Sequence, residues 1–174
     1  MIKFLKGIGI GICFAILMLT KLASPAFSYS ATEVAASARL SAVSIPKLED
    51  KRAAKLKRFL ESANSPLTNY AADFVETADK YGLDWKFLPA ITGVESTFGQ
   101  LIPYGSYNAY GWNNGNYFFS SWPESIEVVS KALKENYLDR GAKTVEQIAP
   151  IYAPPSRTWT GRVRYYMAKI ENTS

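Results

Sequence analysis

The chemistry available to this chain starts from one carboxylate, Glu95. It stands in "GVESTFGQLIPYGSYNAYGW" (93–112), between an apolar run and a stretch of glycine, asparagine and aromatic residues, and no further Asp or Glu occurs before Glu124. The sequence has no histidine, and its one cysteine is Cys13. Cys–His and Ser–His–Asp machinery are therefore excluded, as are the usual zinc sites. Any acid or base must be a carboxylate, a tyrosine or a lysine. A carboxyl group among apolar neighbours tends to keep its proton, because desolvation disfavours the charged form. Trp85, Val94 and Phe98 are the neighbours expected of Glu95, and the negative end of a helix dipole acts in the same direction. A protonated Glu facing a cleft can give its proton to a leaving glycosidic oxygen. The alternative is an exposed Glu at a helix end that does no chemistry. Two features count against it: an acid is locally unfavourable at a helix C-terminus, and aromatic-rich loops stack on sugar rings.

Glycosidases ordinarily use two carboxyl groups, one on each side of the bond. Here the far wall would come from 96–123, which contains no acid. Glu124, Glu127 and Asp139 lie on the following helix, where they read as first-turn charges or solvated face. Three routes remain open to a one-acid enzyme. The substrate's N-acetyl group can act as nucleophile; the sugar's 6-hydroxyl can attack, giving an anhydro product; or a water held by Asn108, Tyr152 or a main-chain carbonyl can attack. No metal is expected, since hard cations want several oxygen ligands.

The elements that must position Glu95 are helical. Ser65 followed by Pro66 predicts a helix start, and Leu67, Tyr70, Ala71, Phe74, Val75 and Ala78 follow at helical spacing, with Gly82 as terminator. Asp84 is placed to cap the next helix, through Trp85, Leu88, Ile91, Val94 and Glu95, with Pro89 tolerated only in its first turn. Gly99 is the expected end. Residues 99–122 hold four glycines and eight aromatics without helical period, and read as a loop or a short β-hairpin, with turn chemistry at "NNGN" (113–116). Ser121-Trp122-Pro123-Glu124 restarts the helix, whose buried face is Ile126, Val129, Leu133 and Tyr137 and whose end is Gly141. Thr144 to Gln147 has the form of a capping box. "YAPPSRT" breaks that helix, and Ser156 or Thr158 caps a last one carrying Val163, Tyr166, Met167 and Ile170.

The N-terminus is different in kind. Residues 1–28 place Lys3 and Lys6 before an apolar run at 7–19, too short to span a bilayer, and end in Ala26-Phe27-Ser28. This is the layout of a signal peptide cleaved after Ser28, with an uncleaved anchor as the alternative. Both put the remainder outside the cytoplasm, secreted or in the cell envelope. Residues 29–50 read as a linker and 51–64 as a short basic helix; it either docks on the domain through Leu56, Phe59 and Leu60 or lies on a membrane surface. The domain proper is 65–174. Of 20 Lys and Arg, removal of Lys3, Lys6 and Lys21 leaves 17 against 15 acidic residues, a net charge of +2. A nucleic-acid partner is not expected from so small an excess.

"LPAITGVESTFG", "YNAYGW", "FFSSWPESIEVV" and "IYAPP", in that order across 66–171, resemble the glucosaminidase branch of the lysozyme-like superfamily, the mannosyl-glycoprotein endo-β-N-acetylglucosaminidase-like domains. Related soluble lytic transglycosylases share the Glu-Ser-x-Phe-Gly start but continue with Gly-Leu-Met-Gln, which is absent here. The resemblance implies a mainly α, lysozyme-like domain that cleaves β-1,4 bonds of peptidoglycan without a cofactor. It implies Glu95 as general acid, Asn108 and Gly111 shaping the cleft loop, and Tyr152 beside the sugar being cleaved. Ser96, Tyr107, Tyr110, Trp112 and Tyr117 are the further substrate-binding candidates. The ligand expected is a peptidoglycan strand, the protein a monomer, and membrane contact confined to an uncleaved N-terminal segment. The rival readings are a lytic transglycosylase, a non-catalytic module that holds glycan by stacking, and a membrane-tethered adaptor using 51–60.

Overall fold

The computed structural model describes residues 50–154 and 156–174. The signal or anchor expected at 1–28 and most of the linker at 29–50 lie outside them. Six α-helices occur among the described residues: α1 (Lys51–Ser62), α2 (Ala71–Tyr81), α3 (Phe87–Ser96), α4 (Trp122–Asn136), α5 (Val145–Tyr152) and α6 (Trp159–Glu171). No strand occurs among them, so the architecture is mainly α. Of the two forms expected for 99–122, the loop is the one present, with a 3-10 turn at Trp112–Gly115.

The local signals act where they are strongest. Asp50 accepts the Arg52 N–H at the head of α1, Ser121 accepts that of Glu124, and Thr144 with Gln147 forms a complete capping box. Each satisfies main-chain donors that a helix start leaves unpaired. Ser156 rather than Thr158 caps α6, accepting the Trp159 N–H at 3.2 Å. Boundaries differ from expectation in four places, the last being the end of α3 described below. The helix expected to start at an Asp84 cap and include Trp85 begins only at Phe87, and Asp84 accepts the Lys86 N–H at 3.0 Å in the turn before it. Ser65 does accept a main-chain N–H, from Leu67, but its own hydroxyl donates across the fold to the Phe98 carbonyl at 2.7 Å. The chain then makes a 3-10 turn at Thr68–Tyr70, and α2 begins only at Ala71. Similarly α4 stops at Asn136, where Tyr137 leaves helical geometry, and a 3-10 turn at Leu138–Arg140 precedes Gly141.

The layers assemble around α3. This helix is buried on nearly every side from Phe87 to Gly93, as an apolar helix without a polar face must be. It packs chiefly against α6, while α2 packs against α1 and α4, and α5 against α6. Leu56, Phe59 and Leu60 of α1 are buried in the same core as Phe74, Ile91, Val129 and Ile170. The basic helix therefore turns its apolar side inward, which is the docking alternative.

α3 does not run on to Gly99. It ends at Ser96, and Thr97, Phe98 and Gly99 all take positive φ of 52°, 57° and 81°. For a residue with a Cβ this costs roughly 1–2 kcal/mol, and the strain is greatest at β-branched Thr97. The reward is the Phe98 ring, buried against Phe59 and Tyr166 at centroid distances of 5.2 and 4.9 Å. Full burial of a Phe contributes roughly 1.5–3 kcal/mol, comparable to that strain. The ring folds back so closely that a Cβ at Gly93 would stand 2.5 Å from it, so position 93 admits only glycine without repacking. The abrupt stop leaves Glu95 in the last turn of a buried helix, with its side chain outside the core.

Candidate functional site

Glu95 is exposed, and that corrects the reading of its surroundings. The apolar enclosure expected from Trp85, Val94 and Phe98 is not formed: Glu95 stays exposed, and after the turn at Thr97 the Phe98 ring is buried against Phe59 and Tyr166. The groups that meet its carboxylate come from elsewhere. Oε1 accepts a hydrogen bond from the indole Nε1 of Trp159 at 2.8 Å. Oε2 faces Gly111, so closely that a Cβ there would stand 3.3 Å from it. Gly111 itself has φ +67°, a second reason for glycine at this position.

Trp159 is the residue that sequence reasoning missed. It is only 3% exposed and opens α6 directly after the "YAPPSRT" break. Its ring lies on that of Tyr152, with centroids 5.0 Å apart and planes 33° apart, and meets Phe87 edge-on at 6.5 Å. The available signal was chemical: an indole N–H that is buried seeks an acceptor.

Tyr152 is half-buried and donates its hydroxyl to the main-chain carbonyl of Tyr110 at 2.9 Å. Burial pushes its phenol far above the ordinary range, and the charge of Glu95 adds to the shift. Tyr152 therefore remains a neutral phenol near neutral pH and is not a base. Its oxygen keeps the capacity to accept a hydrogen bond from a water or a sugar hydroxyl.

Of the two roles expected of Asn108, holding a water and shaping the loop, its hydrogen bonds fit the second. It is 3% exposed, and both amide hydrogens are donated to main-chain carbonyls, of Trp112 at 2.9 Å and Tyr117 at 3.0 Å. Its Oδ1 accepts the Trp112 N–H at 2.9 Å. No N–H remains to hold a water, so Asn108 is the staple that shapes the loop carrying Gly111. Ser96 is likewise buried. Its hydroxyl lies 2.8 Å from the Ala109 carbonyl, which it serves as donor, and it accepts the Gly99 N–H at 3.0 Å. It ties the end of α3 to the loop and offers nothing to a ligand.

The aromatic candidates divide. Tyr110 is buried, with its hydroxyl against Ser125 Oγ at 3.3 Å and its phenol raised by burial, so it is core and not a sugar platform. Tyr107 is half-buried and packs edge-on against Trp122 at 5.3 Å. Trp112 is half-buried beside Asn108. Tyr117 is 42% exposed, its ring tilted against Phe119, and Phe118, not singled out by the sequence, is 61% exposed. Accessible aromatic surface in this loop thus belongs to Tyr117, Phe118 and the fully exposed Tyr104.

A groove of about 430 Å³ between α1 and α2 is lined by Ala53, Ala71, Val75, Asp50 and Asp79 among others. No candidate site residue lines it, and its Asp50 and Asp79 side chains are bonded to Arg52. Among the described residues no three Asp or Glu side chains gather into a metal-binding group. Chemically, then, the arrangement is one exposed carboxylate with one oxygen held and one open, beside a neutral phenol and a tightly stapled loop. Compared with known proteins, the chain matches no family model and no curated protein.

Proposed function

We propose that this protein is a peptidoglycan-cleaving endo-β-N-acetylglucosaminidase with a lysozyme-like helical domain, acting outside the cytoplasm with Glu95 as its single general acid. The observation that carries the reading is the assembly of three separate sequence segments around Glu95, tied to one another by hydrogen bonds. "GVESTFG" supplies Glu95 and the Ser96 tie to Ala109. "YNAYGW" supplies the Asn108 staple and Gly111 beside Oε2. "IYAPP" supplies Tyr152, bonded to the Tyr110 carbonyl. These are three of the four pieces whose order carries the resemblance, and their assembly around Glu95 supports it.

In this reading Glu95 protonates the leaving glycosidic oxygen as the sugar carbon develops oxocarbenium character. No acid in 96–123 is available as nucleophile or base. The attacking group is then the substrate's N-acetyl oxygen, its 6-hydroxyl, or a water accepted by the Tyr152 oxygen or a main-chain carbonyl; Asn108 leaves that list. Attack by the 6-hydroxyl would make the protein a lytic transglycosylase, and the missing second carboxylate favours that alternative as much as hydrolysis.

The test is mass spectrometry of purified peptidoglycan digested with the full-length chain, parent beside Glu95→Gln. Proton transfer by a placed acid is worth roughly 10²–10⁴-fold, so the variant is expected to lose activity by that factor while keeping its melting temperature. Reducing ends identify a hydrolase and name the bond, and anhydro-muramoyl ends identify a transglycosylase. Equal cleavage by parent and variant refutes the role of Glu95. Wall binding by both without products would make this a non-catalytic glycan module.

A further inference from the structure

We infer that Trp159 is a positioning residue that assigns different duties to the two oxygens of Glu95: the indole N–H fixes Oε1 as the acceptor, and Oε2, on the Gly111 side, carries and delivers the proton. This rests on the reading of Glu95 as general acid. An exposed glutamate at a helix end is ordinarily free to rotate about its terminal bond, exchanging its oxygens and sampling several rotamers. Glu95 is exposed, yet the group that holds it is not.

Trp159 is buried, clamped between Tyr152 and Phe87. Its N–H meets Oε1 at 2.8 Å. Three residues further along α6, on the same helical face, Arg162 Nη2 donates to the Val94 carbonyl at 3.4 Å. One face of α6 therefore holds both the side chain of Glu95 and the main chain beside it. In a protonated carboxyl the C=O oxygen is the better acceptor and the O–H oxygen the donor. An N–H directed at Oε1 therefore places the acid hydrogen on Oε2. A Cβ at Gly111 would stand 3.3 Å from that oxygen, so glycine at this position keeps the space beside it free.

The proton balance gives Trp159 a part in the reaction as well as in the geometry. As the hydrogen moves from Oε2 to the glycosidic oxygen, that oxygen takes the electron pair of its breaking bond to the sugar carbon. The carboxyl becomes a carboxylate, and the bond from the indole becomes charge-assisted and stronger. An interaction that strengthens along the reaction raises kcat with little effect on ground-state binding.

Two measurements on the full-length chain test this. In Trp159→Phe, which keeps an aromatic ring against Tyr152 and removes the N–H, kcat is expected to fall about 10–100-fold with KM within about twofold of the parent. In a ¹H–¹⁵N spectrum the four tryptophans give four indole resonances, and the one absent from Trp159→Phe is expected to move when Glu95 is changed to Gln. A parent-like kcat in Trp159→Phe overturns the positioning role while leaving the general acid intact. An indole resonance unmoved by Glu95→Gln overturns the contact itself. If Trp159→Phe does not fold, the resonance is assigned through its proximity to the Tyr152 ring, and the Glu95→Gln shift decides. A parent chain that releases nothing from peptidoglycan refutes the glycosidase reading and the duty of Oε2 with it, and the indole shift still reports separately on the contact.

Discussion

Replacing Asn108 separates a loop staple from a catalytic side chain. In Asn108→Ala three hydrogen bonds of 2.9–3.0 Å are lost at once, leaving the Trp112 N–H and the carbonyls of Trp112 and Tyr117 without their side-chain partner. A buried group left unpaired costs roughly 1–3 kcal/mol. Trp112 is half-buried and Tyr117 exposed, so water recovers part of that loss. A net cost of about 2–4 kcal/mol follows from counting between one and two groups as lost. At about 4 °C per kcal/mol for a domain of this size, the melting temperature should fall by about 8–16 °C.

Asn108→Asp sharpens the test. It keeps the size and the acceptor but turns a carboxylate toward two carbonyl oxygens, so only its protonated form can donate. Its folded-state pKa must then lie above the unfolded value of about 3.9. Such a group stabilises the fold below its unfolded pKa and loses that contribution as pH rises through the folded one. Asn108→Asp should therefore lie nearest the parent at pH about 3–4 and fall increasingly below it toward neutrality. Thermal melts followed by circular dichroism across that range are the assay. If Asn108→Ala melts within about 2 °C of the parent, far below the expected loss, or if the Asn108→Asp deficit does not change with pH, the staple reasoning fails. A loss of kcat without loss of stability would instead return Asn108 to the reaction.

Three further outcomes follow from the same structure. Gly111→Ala combines a φ of +67° with a Cβ 3.3 Å from Oε2; it should cost roughly 1–2 kcal/mol of stability and lower kcat, and unchanged steady-state kinetics would count against Oε2 as the reacting oxygen. Asp50 and Asp79 have their carboxyls held below the ordinary range by their hydrogen bonds to Arg52. Depressed carboxyls stabilise the fold above the unfolded pKa and lose that contribution as pH falls through the folded one; because Asp50 and Arg52 are more than a third exposed and Asp79 about half exposed, solvent screening keeps the effect small, and Arg52→Ala should flatten the acid limb of a melting curve taken from pH 6 to 2. Peptidoglycan cleavage should be unchanged by a chelator, since 96–123 offers no acid to a hard cation; activity abolished by chelation and restored by a divalent ion would refute the one-acid mechanism.

Much of the scaffold was legible because its signals are local. Ser121, Thr144 and Gln147 act on main-chain groups within three residues, and the same short range makes Asp50 an N-cap. Helical periodicity located the buried faces of α2 and α4. Boundaries failed where a local group found a distant partner, as Ser65 did with Phe98. The aromatic loop was legible as a loop or hairpin and no further, because glycine and asparagine permit both and only pairing partners decide.

The sequence alone narrowed any acid or base to a carboxylate, a tyrosine or a lysine: there is no histidine, no thiol beyond Cys13, and no acid in 96–123 beside Glu95. Composition decides such questions without any fold. Tertiary structure decided what surrounds that carboxylate. It exposed Glu95, buried Tyr110, spent the amide of Asn108 on the loop, and brought in Trp159 from 64 residues away. The physical reason is that hydrogen-bond partners and burial are properties of space. Caps and periods act over one helical turn, whereas the contacts Glu95–Trp159 and Tyr110–Tyr152 exist only once α6 and α5 have packed beside α3 and its loop.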